Sequence, residues 1–310
     1  MKVGVTGAAG YIGSRLCYEL RGSHTIVPVD NFYKGTIRTI GDTKVINADI
    51  RDKKAMEILR DTDCIIHLAA ISGVEACNTN REFSYDVNVN GTRTIAEICR
   101  DNSIPLIFAS SFGVMGDPVY FPIDENHPRN PLHDYGKTKY EGEKILTEAA
   151  LDHFPCYLFI KSNVYGVHIV GGAPVSKSNV INKYVNAART NNPLIVYNPG
   201  TQARNFLHVK DAARAYVLAV PKIVKATPRA EPFCIASSEA LSIRNLAEKV
   251  KVIAEEYNFD PPIRTAENPR TETLVEDFSV NTTKAQTILG FTPHYTVEKA
   301  VGEMLEENNL

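Results

Sequence analysis

The stretch "VTGAAGYIGSRL", residues 5–16, most constrains what this chain can fold into. It follows the hydrophobic run "KVGVT" and opens an amphipathic pattern, which predicts a strand, a tight turn and a helix. Gly7 permits the turn, Gly10 lets backbone N–H groups approach a phosphate, and Gly13 lets the helix pack closely on the strand. The segment therefore predicts an α/β unit that binds a phosphate at a helix N-terminus.

The first half of the chain repeats this alternation of short hydrophobic runs and amphipathic stretches. Near-continuous hydrophobicity is typical of parallel strands buried on both faces. The predicted strands lie at 2–6, 25–30, 44–49, 64–70, 105–111 and 156–162. The predicted helices lie at 11–22, 52–61, 82–101 and 135–152. This spacing predicts a doubly wound parallel sheet of the Rossmann type, with helices on both faces.

The second half is less regular, and we expect it to form a smaller C-terminal α/β lobe that binds substrate. The predicted elements are a Gly/Ser-rich loop at 166–180, a strand and turn at 194–200, and helices at 208–220, 242–257 and 296–308. We expect a cofactor-binding domain over 1–165 and a substrate-binding lobe over 166–310, with part of 204–240 returning to the sheet.

Composition narrows the possible partners of the chain. Its 310 residues are 44% hydrophobic with a formal charge of -2, and no basic run suggests a nucleic-acid track. The chain opens on a strand pattern rather than a secretory signal, and no apolar stretch approaches the roughly 18 residues that span a bilayer. Six scattered cysteines and eight histidines without ligand spacing predict reduced thiols and no metal site. We therefore expect a cytoplasmic protein with no nucleic-acid or membrane partner.

A carboxylate at the end of the second predicted strand indicates which cofactor the glycine turn binds. Asp30 lies twenty residues past Gly10, where it would accept hydrogen bonds from the ribose hydroxyls of a dinucleotide. It would repel a 2′-phosphate, which favours NAD over NADP, although Lys34 and Arg38 lie nearby. Asp49, after the third strand, would either contact the adenine or simply cap its strand.

A possible acid/base set lies further along the chain. Ser110 and Ser111 end the fifth predicted strand, at the sheet edge where ligands bind in open α/β folds. Tyr135 and Lys139 are one helical turn apart in the next predicted helix. A free tyrosine has a pKa of about 10, so activating it near neutral pH requires about 4 kcal/mol. Lys139 and a positive nicotinamide ring would both favour the phenolate; the alternative is an ordinary exposed Tyr/Lys pair.

With these features together, the chain resembles the extended short-chain dehydrogenases/reductases, in the NAD-dependent nucleotide-sugar epimerase/dehydratase family. The resemblance covers essentially the whole chain and rests on motifs spread along it. They are "TGAAGYIG", "HLAA", "VNVNGT", "SSFGVMGD", "YGKTK", "NVYG", "RNFLHVKDAARA" and "TTKAQTILGF".

The resemblance implies a role for each residue that matches a family motif. Ser111, Tyr135 and Lys139 would form the catalytic set. The implied NAD contacts are Gly7, Gly10, Tyr11, Ile12, Gly13, Asp30, Asn31, Asp49, Ile50, Leu68, Ala69, Ala70, Asn88, Ser110, Tyr135 and Lys139. The implied nucleotide-sugar contacts are Ser111, Asn163, Arg204 and Arg270.

Three of these roles have structural alternatives. Asn88 would organise the site, or only tie the helix in which it lies. Asn163 would contact the sugar or its phosphate, or satisfy loop backbone. Arg204 and Arg270 would bind the diphosphate, but Arg270 could instead pair with flanking glutamates. The resemblance also suggests a homodimer through the helices at 82–101 and 135–152.

The residues after Ser111 help to choose among the reactions that the family carries out. Phe112 and Gly113 cannot exchange a proton, whereas the family's dehydratases and decarboxylases place an acid there. What remains is 4-epimerisation of a nucleotide sugar of the UDP-glucose/UDP-galactose type through a 4-keto intermediate. The alternatives are a dehydratase or a simple dehydrogenase that releases NADH. Phe278 aligns with a position that limits 2-substituents, which favours an unacetylated sugar.

Overall fold

The structure, a computed structural model, describes residues 1–268 and 274–306. The strands of these residues are β1 (Lys2–Thr6), β2 (Thr25–Asp30), β3 (Thr39–Ile40), β4 (Thr43–Lys44), β5 (Ile46–Asn47), β6 (Cys64–His67), β7 (Leu106–Ser111), β8 (Cys156–Lys161), β9 (Asn163–Tyr165), β10 (Val167–Val170), β11 (Ala173–Ser176), β12 (Leu194–Tyr197), β13 (Ala203–His208), β14 (Ala230–Ile235), β15 (Ala240–Ser242) and β16 (Ile263–Ala266).

The helices are α1 (Tyr11–Leu20), α2 (Lys53–Met56), α3 (Val74–Thr79), α4 (Arg81–Tyr85), α5 (Gly91–Asn102), α6 (Asp134–Ala150), α7 (Val180–Ala188), α8 (Val209–Ile223), α9 (Ile243–Glu256) and α10 (Val297–Glu306). Short 3₁₀ turns cover Glu57–Leu59 and Phe112–Val114, and π-helical turns cover Asp86–Asn90 and Ala285–Leu289. The π turn at Asp86–Asn90 joins α4 to α5, so that the predicted helix at 82–101 contains one wide turn.

The centre of the molecule is a parallel sheet in the order β14-β8-β7-β6-β1-β2-β5. Successive side chains of its strands reach opposite faces. In β6, Ile66 packs in a core with α1 and α8, whereas Ile65 packs in a core with α5 and α6. Helices therefore cover both faces, which explains the continuous hydrophobic runs. The predicted doubly wound Rossmann-type fold is confirmed.

The second half of the chain is divided between this sheet and a separate core. Helix α8 packs on the sheet beside α1, and β14 forms an edge strand next to β8. The third core is built from α7, α9 and α10 with the small sheets β12-β16 and β9-β13-β15. Strands β9 and β13 are parallel neighbours, so residues near 163 and 205 lie together.

The prediction of a loop over 166–180 was wrong, because β10 and β11 form an antiparallel hairpin there. Gly171 and Gly172 both have positive φ, 59° and 78°, as a two-residue hairpin turn requires. Val170 and Val175 pack against the core that covers the sheet. The Gly-Gly pair between alternating apolar residues was the hairpin signal, and the surrounding glycine and serine content obscured it.

Asp211, on α8, binds the backbone of the segment that precedes α10. Its Oδ2 accepts the backbone N–H groups of His294 at 2.9 Å and Tyr295 at 2.8 Å, and the residue is 1% exposed. We expect Asp211→Ala to lower the free energy of unfolding by about 2 kcal/mol, because it leaves two partly buried N–H donors without their acceptor. Urea denaturation measures this loss. Asp42→Ala, at an exposed turn, is the control, and equal stability of the two variants would contradict the assignment.

Candidate active site

The carboxyl ends of the parallel strands bring the predicted site residues to one edge of the sheet. Gly7 follows β1, Asp30 ends β2, and the loop 68–70 follows β6. Ser111 ends β7, and Asn163 begins β9 just beyond the end of β8. In an open α/β sheet this edge is where ligands bind. The fold therefore assembles segments that are distant in sequence.

The turn after β1 is shaped as the glycine spacing predicts. Gly7 has φ +72°, and a Cβ there would lie 2.7 Å from the backbone nitrogen of Ala69. A Cβ on Gly13 would lie 2.0 Å from the Gly7 carbonyl oxygen, so α1 could not approach the turn as closely with any other residue. Gly10 is the N-cap of α1 and makes no side-chain cap. The N–H groups that follow it, at Tyr11 and Ile12, begin the helix and suit a phosphate.

Asp30 lies beside this turn with a buried carboxylate. It accepts the backbone N–H of Ala9 at 3.0 Å on one oxygen and that of Phe32 at 2.7 Å on the other. Burial raises the pKa of Asp30, while these hydrogen bonds and Arg38 act in the opposite direction. Each oxygen keeps acceptor capacity for a further donor. This geometry fits the adenosine ribose of a dinucleotide.

Asp49 has a partner that the sequence argument did not identify. Arg51 forms a two-point ion pair with it, through Nε and a terminal nitrogen, each at 2.9 Å. Asn31 also donates to Asp49 at 2.9 Å. Hydrogen bonding from Arg51 holds the pKa of Asp49 well below its ordinary value. Arg51 also donates to Asp86 at 2.7 Å, and Ile50 is buried in the hydrophobic core. An adenine contact at Asp49 stays a prediction.

Asn88 joins the loop after β6 to helix α6. It lies in the π-helical turn and is 2% exposed. Its Oδ1 accepts the Ile71 N–H at 2.8 Å, and its Nδ2 donates to the Ile71 carbonyl and to Thr138 Oγ1, each at 3.0 Å. These partners lie outside the helix that carries Asn88, so its side chain does more than stabilise the turn in which it lies. These contacts fix Ile71, the residue directly after the loop 68–70, on α6.

Tyr135 and Lys139 lie on one face of α6, against the end of β7. Lys139 is 3% exposed, and its Nζ lies 4.7 Å from the centre of the Phe108 ring. Burial lowers the pKa of Lys139 to about 8. Burial raises the pKa of Tyr135 to about 12, with a smaller contribution from Cys77, whereas a hydrogen bond with Ser111 lowers it. The protein by itself therefore disfavours the phenolate, and a cofactor's positive charge would have to oppose burial.

The two serines of β7 differ in their surroundings. Ser111 is half-buried beside Tyr135, and its Oγ accepts the Gly113 N–H at 3.2 Å. Ser110 is fully buried, and its hydroxyl donates to Glu143 on α6. Of the two hydroxyls, only that of Ser111 contacts Tyr135 among the described residues. A cofactor contact from Ser110 stays a prediction.

The predicted substrate contacts are placed less fully. Asn163 is exposed at the start of β9, and its Nδ2 donates to the Asn205 carbonyl at 3.3 Å. Arg204, on the neighbouring strand β13, is half-buried and donates to the Ala203 carbonyl at 2.7 Å. Arg270 lies outside the described residues. The structure thus brings Asn163 and Arg204 to adjacent strands of the third core.

Several polar residues of the site were missed from the sequence. Lys161 is paired with Ser111 in the sheet, and its Nζ donates to the Ser110 carbonyl at 3.0 Å. Lys177 reaches Ser72, in the loop after β6, at 3.3 Å. The buried Cys77 thiol interacts electrostatically with Tyr135 and Lys139. A lysine in a strand pattern and a lone cysteine in a short helix carry no local sequence signal of such positions.

The residues present fit a dinucleotide. Among the residues that the structure describes, only the Gly7 carbonyl oxygen lies within 4 Å of a Cβ placed on Gly10. The surface at Gly10 is therefore open, and a side chain there would occupy the space that a phosphate would need. A carboxylate above this turn, with a Tyr–Lys pair at the same sheet edge, is the arrangement of the short-chain dehydrogenases/reductases. The chain matches the model of the NAD dependent epimerase/dehydratase family over residues 3–232, and it belongs to that family. The resemblance stated from the motifs is confirmed.

Three known proteins show the range of this similarity. The chain is 36% identical to a Methanocaldococcus jannaschii protein provisionally named UDP-glucose 4-epimerase, over 70% of this chain and 72% of the relative. It is 32% identical to the UDP-N-acetyl-alpha-D-glucosaminuronate decarboxylase of Bacillus cytotoxicus, over 79% and 78%. The solved structure of MoeE5 with UDP-glucuronic acid and NAD has a TM-score of 0.81 and 26% identity, over 99% and 98%.

Among the described residues, no helix has both the length and the apolar character needed to cross a bilayer.

The close approach of α1 to the glycine turn gives a prediction. We expect Gly13→Ala to abolish dinucleotide binding, because the added Cβ would force the Gly7 carbonyl and the helix apart. Calorimetric titration with NAD measures the loss. Gly22→Ala is the control, since the nearest atom to its Cβ is 3.8 Å away. Unchanged NAD affinity in Gly13→Ala would contradict the close approach.

The burial of Lys139 gives a second prediction. Its pKa falls from 10.5 to about 8 on folding, so the unfolded chain binds more protons between these values. Below about pH 8 the folded protein therefore bears the full free-energy cost of burying the charged Lys139 side chain. We expect Lys139→Met to stabilise the fold near neutral pH by about 2 kcal/mol, and the gain to shrink as pH rises. Urea denaturation across this pH range measures it; a loss of stability at neutral pH would contradict the burial penalty.

Proposed function

We propose that the protein is an NAD-dependent nucleotide-sugar epimerase that interconverts UDP-glucose and UDP-galactose through a 4-keto intermediate. The observation that carries this proposal is the Tyr135–Lys139 pair beside Ser111, at the same sheet edge as the glycine turn and Asp30. Family membership and the printed name of the archaeal relative support it. The MoeE5 complex, with NAD and a UDP-sugar in a chain of the same fold, supports the choice of ligands.

The chain's own residues divide the work of this reaction. The glycine turn and Asp30 would hold NAD, which accepts and returns hydride when bound. Tyr135 would take the proton of the sugar 4-hydroxyl and later return it to the oxygen of the 4-keto group, while hydride returns to the opposite face of C4. Lys139 would favour the phenolate through its charge, and Ser111 would position the sugar oxygen by a hydrogen bond. Asn88 would keep the loop 68–70 in place against the cofactor.

Turning the 4-keto sugar over requires that its diphosphate stay bound. We assign this role to Arg204 and Arg270, whose guanidinium groups suit a diphosphate. Asn163 would contact the sugar or its phosphate from the strand beside Arg204. Phe278 packs edge-on against Phe112 at 5.7 Å between ring centres, next to Ser111. This aromatic wall favours a sugar without an N-acetyl group.

The similarity to a decarboxylase makes that chemistry the alternative to consider. The residues after Ser111, Phe112 and Gly113, offer no acid or base. Glu143, the carboxylate that contacts Ser110, is 4% exposed and already pairs with Arg129. The residues at these positions favour oxidation of the sugar at C4 and return of the hydride, rather than elimination of water or loss of carbon dioxide.

We also propose a homodimer that forms through the helices at 82–101 and 135–152. Tyr85, 49% exposed, and Leu151, 60% exposed, lie near the ends of these helices and would be covered. A cytoplasmic location is supported by the six cysteines, which are all buried free thiols.

The test of the proposed function is interconversion of the two UDP-sugars by the purified protein supplied with NAD. We expect Tyr135→Phe to lower turnover by about 10²- to 10⁴-fold while NAD affinity is retained. Tyr140→Phe, on the same helix, is the matched control and should keep full turnover. Chromatography of the nucleotide sugars measures both. Full activity in Tyr135→Phe, or steady release of NADH without sugar inversion, would contradict the proposal.

A further inference from the structure

Glu143 is a buried carboxylate that the proposed mechanism does not use. It lies on α6 four residues after Lys139, and so continues the face that carries Tyr135 and Lys139. It is 4% exposed. Acidic side chains are almost never so buried unless they are paired.

Both oxygens of Glu143 have partners from other elements. Ser110 of β7 donates its hydroxyl to Oε1, and Arg129 donates its Nε to Oε2 at 3.3 Å. Arg129 is itself fixed, because one terminal nitrogen donates to the carbonyls of Glu125 at 2.8 Å and His127 at 2.6 Å. The loop between β7 and α6 is thereby tied to α6 through Glu143.

The backbone of Ser110 has a second contact, which comes from β8. Lys161 of β8 donates its Nζ to the Ser110 carbonyl at 3.0 Å. The residue immediately before Ser111 is therefore fixed by its side chain to α6 and by its carbonyl to β8. Since Ser111 is the next residue along β7, the position of its hydroxyl relative to Tyr135 depends on these two contacts.

The charges around Glu143 are unequal. Arg129 from the loop pairs with the carboxylate, Lys139 from α6 and the Cys156 thiol of β8 interact with it, and Lys161 of β8 contacts the same serine from the other side. Burial lowers the pKa of Lys139, whereas Cys77 and, to a smaller extent, Glu143 raise it. Burial, with a smaller contribution from Lys139, lowers the pKa of Lys161 to about 7. A carboxylate in this group keeps Lys139 charged against the effect of burial.

We propose that Glu143 is a positioning residue of the active site, which fixes the Ser110–Ser111 strand end on α6 and balances the buried charge of Lys139. The inference rests on the proposed function in one respect, namely that charged Lys139 supports proton transfer at Tyr135. Loss of the carboxylate should then change the pH dependence of turnover and not only the stability of the fold.

The test is Glu143→Gln in the enzyme supplied with NAD. Glutamine keeps an acceptor for Ser110 but removes the negative charge. The pKa of Lys139 should fall further, so the alkaline limb of kcat/KM should move to lower pH by about one unit. The KM for the nucleotide sugar should change little. Glu141→Gln, at an exposed pair with Lys144 on the same helix, is the control and should leave the limb in place.

A second variant separates this role from folding. Arg129→Met together with Glu143→Met removes the buried pair as a unit, which is tolerated better than removing one charge. This variant should fold and still show the displaced alkaline limb. A lower melting temperature with an unmoved limb in both variants would overturn the proposal and leave Glu143 a structural residue.

An NMR titration of isotope-labelled lysines, assigned with Lys139→Arg, measures the Lys139 pKa without turnover. We expect it to be lower in Glu143→Gln than in the unsubstituted enzyme, and equal values would overturn the proposal. If the unsubstituted enzyme converts neither UDP-sugar, the proposed function fails, and this titration still decides the role of Glu143.

Discussion

The burial of the Lys139 ammonium is the constraint on which the site depends. A buried ammonium is costly unless compensating groups surround it, and strand β7 and helix α6 each supply one. Phe108 offers its ring face to Nζ, and Glu143 places a carboxylate one turn away. The same packing of α6 on β7 brings Tyr135 to Ser111. A rearrangement that exposed Lys139 would therefore also move the Tyr135 phenol away from the end of β7.

This arrangement couples the chemistry to the cofactor. Burial raises the pKa of Tyr135 to about 12 and lowers that of Lys139 to about 8, so the protein alone keeps the phenol neutral at neutral pH and lets Lys139 lose its proton more readily than a free lysine. A positive nicotinamide ring beside the phenol would reverse the preference at Tyr135. An acid/base group that becomes active only beside oxidised cofactor suits a reaction in which hydride must leave and return to one carbon.

The sequence predicted the parts of the site that depend on local spacing. The turn at Gly7, the carboxylate at Asp30 and the Tyr135/Lys139 pair all lie where their motifs indicate, because each depends on one strand, turn or helical period. Contacts between distant segments could not be read in this way. The pairing of Arg51 with Asp86, the bond from Asn88 to Ile71, and the contact of Ser110 with Glu143 arise only when the sheet brings their strands and helices together. The hairpin of β10 and β11 could not be distinguished from a loop, because its glycine and serine residues are typical of loops and its alternation of apolar and polar residues is short.

The central claim is that hydride leaves the sugar C4 and returns to the same carbon while NAD stays bound. The most direct measurement uses UDP-glucose that carries deuterium at C4, with mass spectrometry and NMR of the product. We predict UDP-galactose that retains the deuterium at C4, without NADH in solution. Deuterium found in released NADH, or a product that has lost water or carbon dioxide, would contradict the account.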